Sequence, residues 1–291
     1  MREVASVAEL RDVLEAARRE GSTIGFVPTM GYLHAGHLSL VERAASECDL
    51  VLASIFVNPL QFGIGEDLDA YPRDLAGDRE SAERAGVDVL FVPSTAEMYP
   101  EPVATTVTVA GVSERFEGAS RPTHFAGVAT VVAKLFSLSG PCRAYFGEKD
   151  FQQVAVVRRM VSDLSIPVEV VACPTVREDD GLAMSSRNAY LDPAQRAAAP
   201  VLHRALSVGE QMIREGVTHA DEVRVAMTEV VAAEPLAELD YLEVVDPVAL
   251  EPVGPIRVLA DRPVRLLGAV RIGATRLLDN VGTVVPAEAG R

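Results

Sequence analysis

Residues 23–40 read Thr-Ile-Gly-Phe-Val-Pro-Thr-Met-Gly-Tyr-Leu-His-Ala-Gly-His-Leu-Ser-Leu. An apolar run of β type from Ile24 to Val27 is broken by Pro28 and Gly31, and an amphipathic helix is predicted to follow. A strand that leads directly into a helix is the repeating unit of parallel α/β sheets. This stretch therefore predicts an α/β fold.

Two histidines, His34 and His37, lie where the predicted helix begins. The first backbone N–H groups of a helix have no partner within it and carry partial positive charge, so anions bind there. Imidazoles three residues apart face the same side of a helical turn, and Gly36 allows a ligand to approach closely. Because a strand precedes the pair and a helix follows it, the pattern favours a phosphate-binding corner over two surface histidines.

The composition narrows the classes of function. The 291 residues carry a net charge of −15, and such a field repels nucleic-acid backbones, so a general nucleic-acid binder is not expected. Three widely separated cysteines give neither a disulfide framework nor a zinc pattern. The sequence shows no secretory signal and no run long enough to span a membrane, which predicts a cytoplasmic protein.

Two domains are expected along the chain. From residue 23 to about 173, short β-type runs alternate with helical segments; after Pro174 a polar loop, alanine-rich helices and two β-type segments follow. The predicted fold class is α/β, with a Rossmann-like parallel-sheet domain over 1–175 that binds a nucleotide. A smaller α+β domain over 176–291 is expected to close over the active site. The predicted strands are Thr23–Val27, Leu50–Val57, Val87–Val92, Ala144–Phe146, Val168–Ala172, Asp240–Val245 and Val264–Ile272, with an edge strand at Thr105–Val109.

Helices are predicted between and after these strands. The last seven residues, from Val285 to Arg291, are predicted to form a loose tail. The predicted helices are Val7–Arg19, Leu38–Ser46, Asp74–Ala85, Ala126–Ser139, Phe151–Leu164, Pro193–Glu215 and His219–Ala233.

Asn58 and Gln61 follow the second of these strands. In open α/β sheets ligands bind beyond the carboxyl ends of strands, and this end is expected beside the histidine corner. A neutral amide both donates and accepts hydrogen bonds, which suits the hydroxyl groups of a small substrate. A turn-capping role is an equally good interpretation of these two residues.

A third predicted strand is also followed by a glycine, polar residues and a helix, because Gly147 to Asp150 lie between a strand and a helix. Lys149 would bring a point charge to the edge of the sheet, where it can neutralise a phosphate. Asp150 could cap the helix, and Gln153 lies one turn further on.

Beyond the expected domain boundary, a loop that contains Gly181 carries Met184-Ser-Ser-Arg187. Two hydroxyls and a guanidinium in succession can form a second phosphate clamp on a loop that closes over a nucleotide. Taken alone, the tripeptide Ser-Ser-Arg is usually a solvated turn, so its interpretation as a phosphate clamp depends on the other two sites.

Several other signals are weak. The chain has neither a Walker A sequence nor a complete dinucleotide-binding fingerprint. His124 has no metal-ligating partner at a useful spacing, and His203 and His219 are interpreted as residues on helix surfaces. The acidic loop at Glu66 to Asp69 is interpreted as solvated.

Five motifs in order resemble a known family. The sequence contains Pro-Thr-Met-Gly-Tyr-Leu-His-Ala-Gly-His, Ser-Ile-Phe-Val-Asn-Pro-Leu-Gln-Phe, Arg-Pro-Thr-His-Phe-Ala-Gly-Val, Phe-Gly-Glu-Lys-Asp-Phe-Gln-Gln and Met-Ser-Ser-Arg-Asn. A His-x-Gly-His corner with a distant Met-Ser-Ser-Arg loop is typical of the class I nucleotidyltransferase superfamily. The complete set resembles its pantoate–β-alanine ligase family, the pantothenate synthetases, over almost the whole chain.

The resemblance implies a two-step reaction. ATP adenylates (R)-pantoate with release of pyrophosphate, and β-alanine then displaces AMP to form pantothenate. The resemblance also implies magnesium with the ATP and a homodimer, and it leaves the metal ligands unidentified. No nucleic-acid or membrane partner is expected.

The resemblance also assigns site residues. It makes His37 the proton donor, with His34 on the phosphates and Lys149 supplying charge, and these three form the expected catalytic set. The expected pantoate ligands are Gln61, which also touches β-alanine, and Gln153, with Asn58 a weaker inference. The expected ATP-binding residues are Met30, Gly31, His34, Gly36, His37, Gly147, Glu148, Lys149, Asp150, Val176, Met184, Ser185, Ser186 and Arg187.

Two alternatives remain open. One is another class I adenylyltransferase that acts on a different small acid or cofactor precursor, or a truncated aminoacyl-tRNA synthetase, although the acidic charge disfavours tRNA. The other is a regulatory module that binds a nucleotide without catalysis.

Overall fold

The computed structural model of the protein describes residues 1–256 and 261–286. The chain divides into two compact units, Met1–Thr175 and Val176–Arg291. Within the described residues, no helix combines the length and the apolar character that crossing a bilayer requires.

The first unit contains a six-stranded sheet in the order β1-β4-β3-β2-β5-β6, and every neighbouring pair is parallel. Parallel neighbours require crossover connections, which the intervening helices supply. The strands are β1 (Arg2–Val4), β2 (Ile24–Thr29), β3 (Leu50–Ile55), β4 (Val89–Phe91), β5 (Cys142–Gly147) and β6 (Val168–Cys173). The helices are α1 (Val7–Arg19), α2 (Ala35–Glu47), α3 (Leu75–Ala85), α4 (Thr95–Met98), α5 (Glu117–Ser120), α6 (His124–Ser139) and α7 (Phe151–Asp163).

Strand β2 lies at the centre of the sheet. Phe26 is opposite Leu52 of β3 on one side and Ala144 of β5 on the other. The chain proceeds from β2 through β3 to β4 in one direction, whereas β5 and β6 extend the sheet in the other. The crevice between β2 and β5 is therefore the point where strand order reverses, and open α/β sheets bind ligands at that point.

Apolar side chains cover both faces of this sheet. On one face α1, α6 and α7 bury residues such as Leu10, Phe136 and Met160. On the other face α2 and α3 bury Val41 and Ala82. Burial on both faces explains why the strands have continuous apolar runs and not alternating ones.

The second unit has a three-stranded antiparallel sheet in the order β7-β8-β9. Its core joins this sheet to the alanine-rich helices. The elements are α8 (Pro193–Ala198), α9 (Val201–Arg214), α10 (Ala220–Ala232), β7 (Ala237–Val245), β8 (Pro263–Ile272) and β9 (Thr275–Val284). The predicted fold class, a Rossmann-like parallel-sheet domain with a smaller α+β domain, is confirmed.

Some predicted elements differ from the structure. The Thr105–Val109 segment is not a strand, because its Val107 N–H donates to the Thr130 hydroxyl at 2.9 Å and not to a neighbouring strand. The single helix predicted over 193–215 is two helices, with the break at Pro200. The predicted tail begins at a buried Val285 that bonds the Arg262 carbonyl, and its residues 287–291 lie outside the described part.

Candidate functional site

The corner between β2 and α2 is a tight turn. The backbone at Gly31 has φ of +85°, and Tyr32 also has a positive φ of 53°. A Cβ atom at Gly31 would lie 2.9 Å from Asp78 Oδ2 and 3.0 Å from Ile55 Cγ2. Only glycine meets both the conformation and the lack of space at this position. The turn leaves His34 as the residue that precedes the first turn of α2.

Asp78, on α3, holds this turn from behind. Its two carboxylate oxygens accept hydrogen bonds from the backbone N–H groups of Tyr32, at 2.8 Å, and Leu33, at 2.6 Å. The side chain is buried, and burial raises the pKa of Asp78 in spite of the two bonds. Sequence analysis missed this residue. The signal that could have found it is its spacing, because Asp78 lies one helical turn before the buried Ala82.

The two histidine rings lie together, as their spacing predicts. Their centroids are 4.0 Å apart, with the ring planes inclined by 34°. Burial, followed by the proximity of His34, lowers the pKa of His37 to about 3. Burial, followed by the charge of Lys149, lowers the pKa of His34 to about 4. Both imidazoles are therefore neutral at pH 7.

Each ring has an atom available for a ligand. The His34 backbone N–H donates to Nδ1 of His37 at 3.4 Å, which places the proton of the neutral His37 ring on Nε2. Within the described residues, Nδ1 of His34 is buried and has no hydrogen-bond partner. A buried polar atom without a partner carries a desolvation penalty, which a bound group can relieve.

Lys149 and Asp150 lie at the carboxyl end of β5, in the short 3-10 helix Glu148–Asp150. The Lys149 ammonium is 3.7 Å from an Asp150 carboxylate oxygen. Their opposite effects on the pKa of His34, lowered by Lys149 and raised by Asp150, place both groups within electrostatic range of the imidazole. Asp150 precedes α7 but makes no side-chain capping bond, so the capping interpretation is wrong.

The two neighbouring glutamines of α7 differ in availability. Gln152 is buried and donates to the carbonyls of Val112 and Arg115, at 2.9 and 2.8 Å. It also accepts a bond from the Glu117 N–H at 3.1 Å. Gln153 is half-buried, and its side chain makes no hydrogen bond with the described residues. Gln152 is therefore structural, and Gln153 is the glutamine that can bind a ligand.

Asn58, at the carboxyl end of β3, is fully engaged within the protein. Its NH2 group donates to Gln61 Oε1 at 3.2 Å and to the Gly127 carbonyl at 3.1 Å. Its oxygen accepts from the Tyr99 hydroxyl at 2.9 Å and the Leu60 N–H at 3.3 Å. These four bonds use both donors and both acceptor sites of the amide. Asn58 therefore orients Gln61.

Gln61 is fixed through its main chain as well. Its carbonyl accepts bonds from Nδ1 of His124 at 2.9 Å and from the Arg121 guanidinium at 3.2 Å. Its side-chain NH2 group lies 3.0 Å from the sulfur of Met30. His124, for which the sequence offers no metal-ligating partner, thus holds the main chain of Gln61. Its motif is also the one that the sequence reasoning left without a function.

Glu66, in the acidic loop, pairs with the Arg121 guanidinium at 2.8 Å and is therefore not simply solvated. The helix that carries His124 lies very close to the Gln61 segment, since a Cβ at Gly127 would be 2.1 Å from the Leu60 carbonyl oxygen. These contacts give Gln61 a fixed position.

In the first unit, the candidate residues thus follow the carboxyl ends of three adjacent strands, β3, β2 and β5. The described residues contain no cluster of three side chains that could hold a metal ion. The arrangement offers neutral donors, one ammonium group and two amides, which suit an anionic ligand that also carries hydroxyl groups.

In the second unit, one loop carries the other candidates. The Met184 N–H donates to the Val176 carbonyl at 3.0 Å. Ser185 precedes the 3-10 helix Ser186–Tyr190, and its hydroxyl accepts the Arg187 N–H at 3.3 Å. Val176 and the Met184–Arg187 segment are therefore neighbours within this unit.

Comparisons with known proteins identify the family of this chain. The family described as Pantoate-beta-alanine ligase matches residues 2–282. A pantothenate synthetase of Sinorhizobium medicae is 55% identical over 280 residues, which cover 96% of this chain and 95% of that protein.

Solved structures are similar over the same length. A pantothenate synthetase from Thermus thermophilus has 54% sequence identity and a TM-score of 0.91, covering 97% of this chain and 99% of that one. A pantoate-beta-alanine ligase from Francisella tularensis, complexed with beta-gamma ATP and beta-alanine, has 33% identity and a TM-score of 0.79, covering 97% of each chain. The chain belongs to the pantoate–β-alanine ligase family.

Proposed function

We propose that this enzyme joins (R)-pantoate to β-alanine at the expense of ATP, with AMP and pyrophosphate as the other products. The observation that carries the proposal is the convergence of two neutral histidines, Lys149 and two glutamines at the carboxyl ends of three adjacent strands. Family membership supplies the reaction, and the site supplies groups of the required chemistry.

In the first step, a carboxylate oxygen of pantoate attacks the α-phosphorus of ATP, and the bond to the pyrophosphate oxygen breaks. Negative charge builds on the phosphate oxygens, and preorganised donors stabilise it. The Nε2–H of His37 and the Lys149 ammonium are the proposed donors, with His34 on the phosphates. Because His37 is neutral before the ligand binds, it donates a hydrogen bond at pH 7 without first losing a strong ion pair.

In the second step, the amine of β-alanine attacks the acyl carbon of the adenylate, the amide bond forms and AMP leaves. Gln61 and Gln153 are the proposed ligands of pantoate, and Gln61 also contacts β-alanine. Asn58 contributes by orienting Gln61, since its own hydrogen-bonding capacity is used within the protein.

The remaining nucleotide contacts are assigned to two backbone segments and one loop. Met30 to His37 and Gly147 to Asp150 bind ATP from the first unit, while the Val176 backbone and Met184 to Arg187 bind it from the second. The proposed domains are 1–175 and 176–291, and the second closes over the bound nucleotide. Magnesium accompanies ATP as part of the substrate, which is how Mg²⁺ commonly binds beside phosphates. A homodimeric assembly and a cytoplasmic location complete the proposal.

Isotope exchange between pyrophosphate and ATP tests the adenylation step. Exchange is expected to require pantoate and to fail with an amino acid or a nucleotide in its place. Exchange driven equally by another acid would favour a different adenylyltransferase.

A second assay measures AMP formation with ATP, pantoate and β-alanine together. Omitting β-alanine is expected to leave the exchange reaction and abolish steady turnover. A purified protein that binds ATP and forms no AMP would favour a regulatory module.

A further inference from the structure

The loop between Val176 and Met184 closes on itself. Arg177 faces Ala183 in an antiparallel bridge, and the backbone bond from Met184 to Val176 joins the two ends. Both ends therefore belong to one hydrogen-bonded turn. Whatever fixes the position of this turn also fixes the proposed nucleotide contacts at its two ends.

Arg177 connects this loop to β9. Its guanidinium donates to both carboxylate oxygens of Asp279, at 2.6 and 3.0 Å. The same group donates to the Gly181 carbonyl at 3.0 Å and the Asn280 carbonyl at 3.3 Å. Asp279 is only 5% exposed. A two-pronged arginine–carboxylate pair fixes direction as well as distance, so one guanidinium joins the base of the loop, its tip and the strand.

The tip of the loop has little freedom. Gly181 has φ of +91°, and a Cβ there would lie 2.3 Å from Cδ2 of His203 on α9. Nδ1 of the same histidine is 3.7 Å from Asp279 Oδ2. His203 is therefore part of this cluster and not a surface residue, which corrects the interpretation from the sequence.

We propose that Asp279 is a positioning residue for the nucleotide. Through Arg177 it fixes the loop that presents the Val176 backbone and the Met184–Arg187 segment, and it need not touch the substrate itself. The inference rests on the proposed function, because that function makes the loop a nucleotide-binding element. Loss of the carboxylate charge leaves the loop in place but less well oriented, so ATP binding weakens while the reacting groups of the first unit are unchanged.

Asp279→Asn tests the proposal, with Asp240→Asn as the matched control. Asp240 also pairs with an arginine of β9, Arg276, at 2.7 Å, and none of its described contacts reaches the loop. Asp279→Asn is expected to raise the KM for ATP about tenfold, the size of effect seen when a hydrogen bond to a charged group is lost. The KM for pantoate and kcat are expected to change less than about twofold, and Asp240→Asn is expected to leave all three parameters near wild type.

The test compares the change in the KM for ATP in Asp279→Asn with the change in Asp240→Asn. An unchanged KM for ATP in folded Asp279→Asn, or equal changes in both variants, would overturn the inference. If Asp279→Asn does not fold, Arg177→Lys replaces it, because lysine keeps the ion pair and loses the two parallel hydrogen bonds of the guanidinium. An unchanged KM for ATP in Arg177→Lys would also contradict the inference. If the wild type binds ATP without forming AMP, the proposed function fails, and the Kd of the same variants for ATP then tests the positioning role alone.

Discussion

The two loops that carry the proposed nucleotide contacts are both secured by a buried aspartate, but in different ways. In the first unit, Asp78 accepts two backbone N–H bonds directly from Tyr32 and Leu33. In the second unit, Asp279 acts through the side chain of Arg177. A direct bond to the backbone leaves no intermediate torsions, whereas an arginine adds several. The first loop is therefore expected to be the more rigid, and its loss the more damaging.

The largest effect is expected at the ammonium group of the first unit. Lys149→Ala should reduce pyrophosphate–ATP exchange by at least about a hundredfold, as removal of a donor to a developing oxyanion does elsewhere. Arg159→Ala on α7, the helix that follows Lys149, is the control, because Arg159 is exposed and pairs with Asp163. Near-normal exchange in folded Lys149→Ala would remove this lysine from the mechanism.

Asp78→Asn is expected to come next. An amide offers one acceptor oxygen, so one of the two N–H groups would face an NH2 group instead. The displaced corner should lower kcat/KM by about tenfold to a hundredfold and destabilise the fold by about 1–3 kcal/mol. Asp74→Asn is the matched control, because asparagine also caps helices and Asp74 caps the same helix. An effect at Asp78 no larger than that of Asp279→Asn would contradict the proposed order of rigidity.

The pH dependence of stability should come mainly from the first unit, although burial also lowers the pKa of His203 in the second. His34, His37 and His124, all in the first unit, have pKa values of about 4, 3 and 4, below the ordinary 6.5. Between about pH 6.5 and 3 the unfolded chain binds protons that the folded chain does not, so stability falls as the pH falls through this window. The slope of the unfolding free energy against pH should decrease by the equivalent of up to about one proton in His124→Gln. It should stay at the wild-type value in His219→Gln, because His219 is exposed. Thermal unfolding between pH 7 and 5 measures it, and equal slopes would contradict the burial argument.

The smallest effect is expected at the outer edge of the second loop. Arg196 pairs with Glu178 at 2.6 Å, and its side chain is 31% exposed. Exposed pairs contribute about 0–1 kcal/mol, so Arg196→Gln should raise the KM for ATP no more than about threefold. A change as large as that of Asp279→Asn would place the main support of the loop on its exposed side.

The corner at residues 30–37 could be predicted because its residue types act locally. A β-type run, a glycine and two histidines at helical spacing determine both the turn and the ring contact. The central strands were also identified, since burial on both faces gives them continuous apolar sequences. Their ends were uncertain by a few residues because helix and strand termini depend on contacts made elsewhere.

The supporting residues could not be predicted in this way. Asp78 belongs to a helix rich in charged residues; its spacing from Ala82 places it on the buried face, but its partners, the N–H groups of Tyr32 and Leu33, lie in a turn that is distant in sequence. Arg177 and Asp279 are about a hundred positions apart, so no local pattern links them. The short β1 was missed because three residues carry little periodicity, and β9 because its polar residues interrupt the alternation that β strands usually show.

The neutral state of His34 and His37 bears on how an anion is selected. The chain carries a net charge of −15, so long-range attraction does not draw phosphates toward this molecule. With both imidazoles uncharged, Lys149 at the end of β5 supplies positive charge beside the corner, and Asp150 next to it offsets part of that charge. Discrimination must then come at contact, from the direction of fixed dipoles, and an anion of the wrong shape gains little from charge alone.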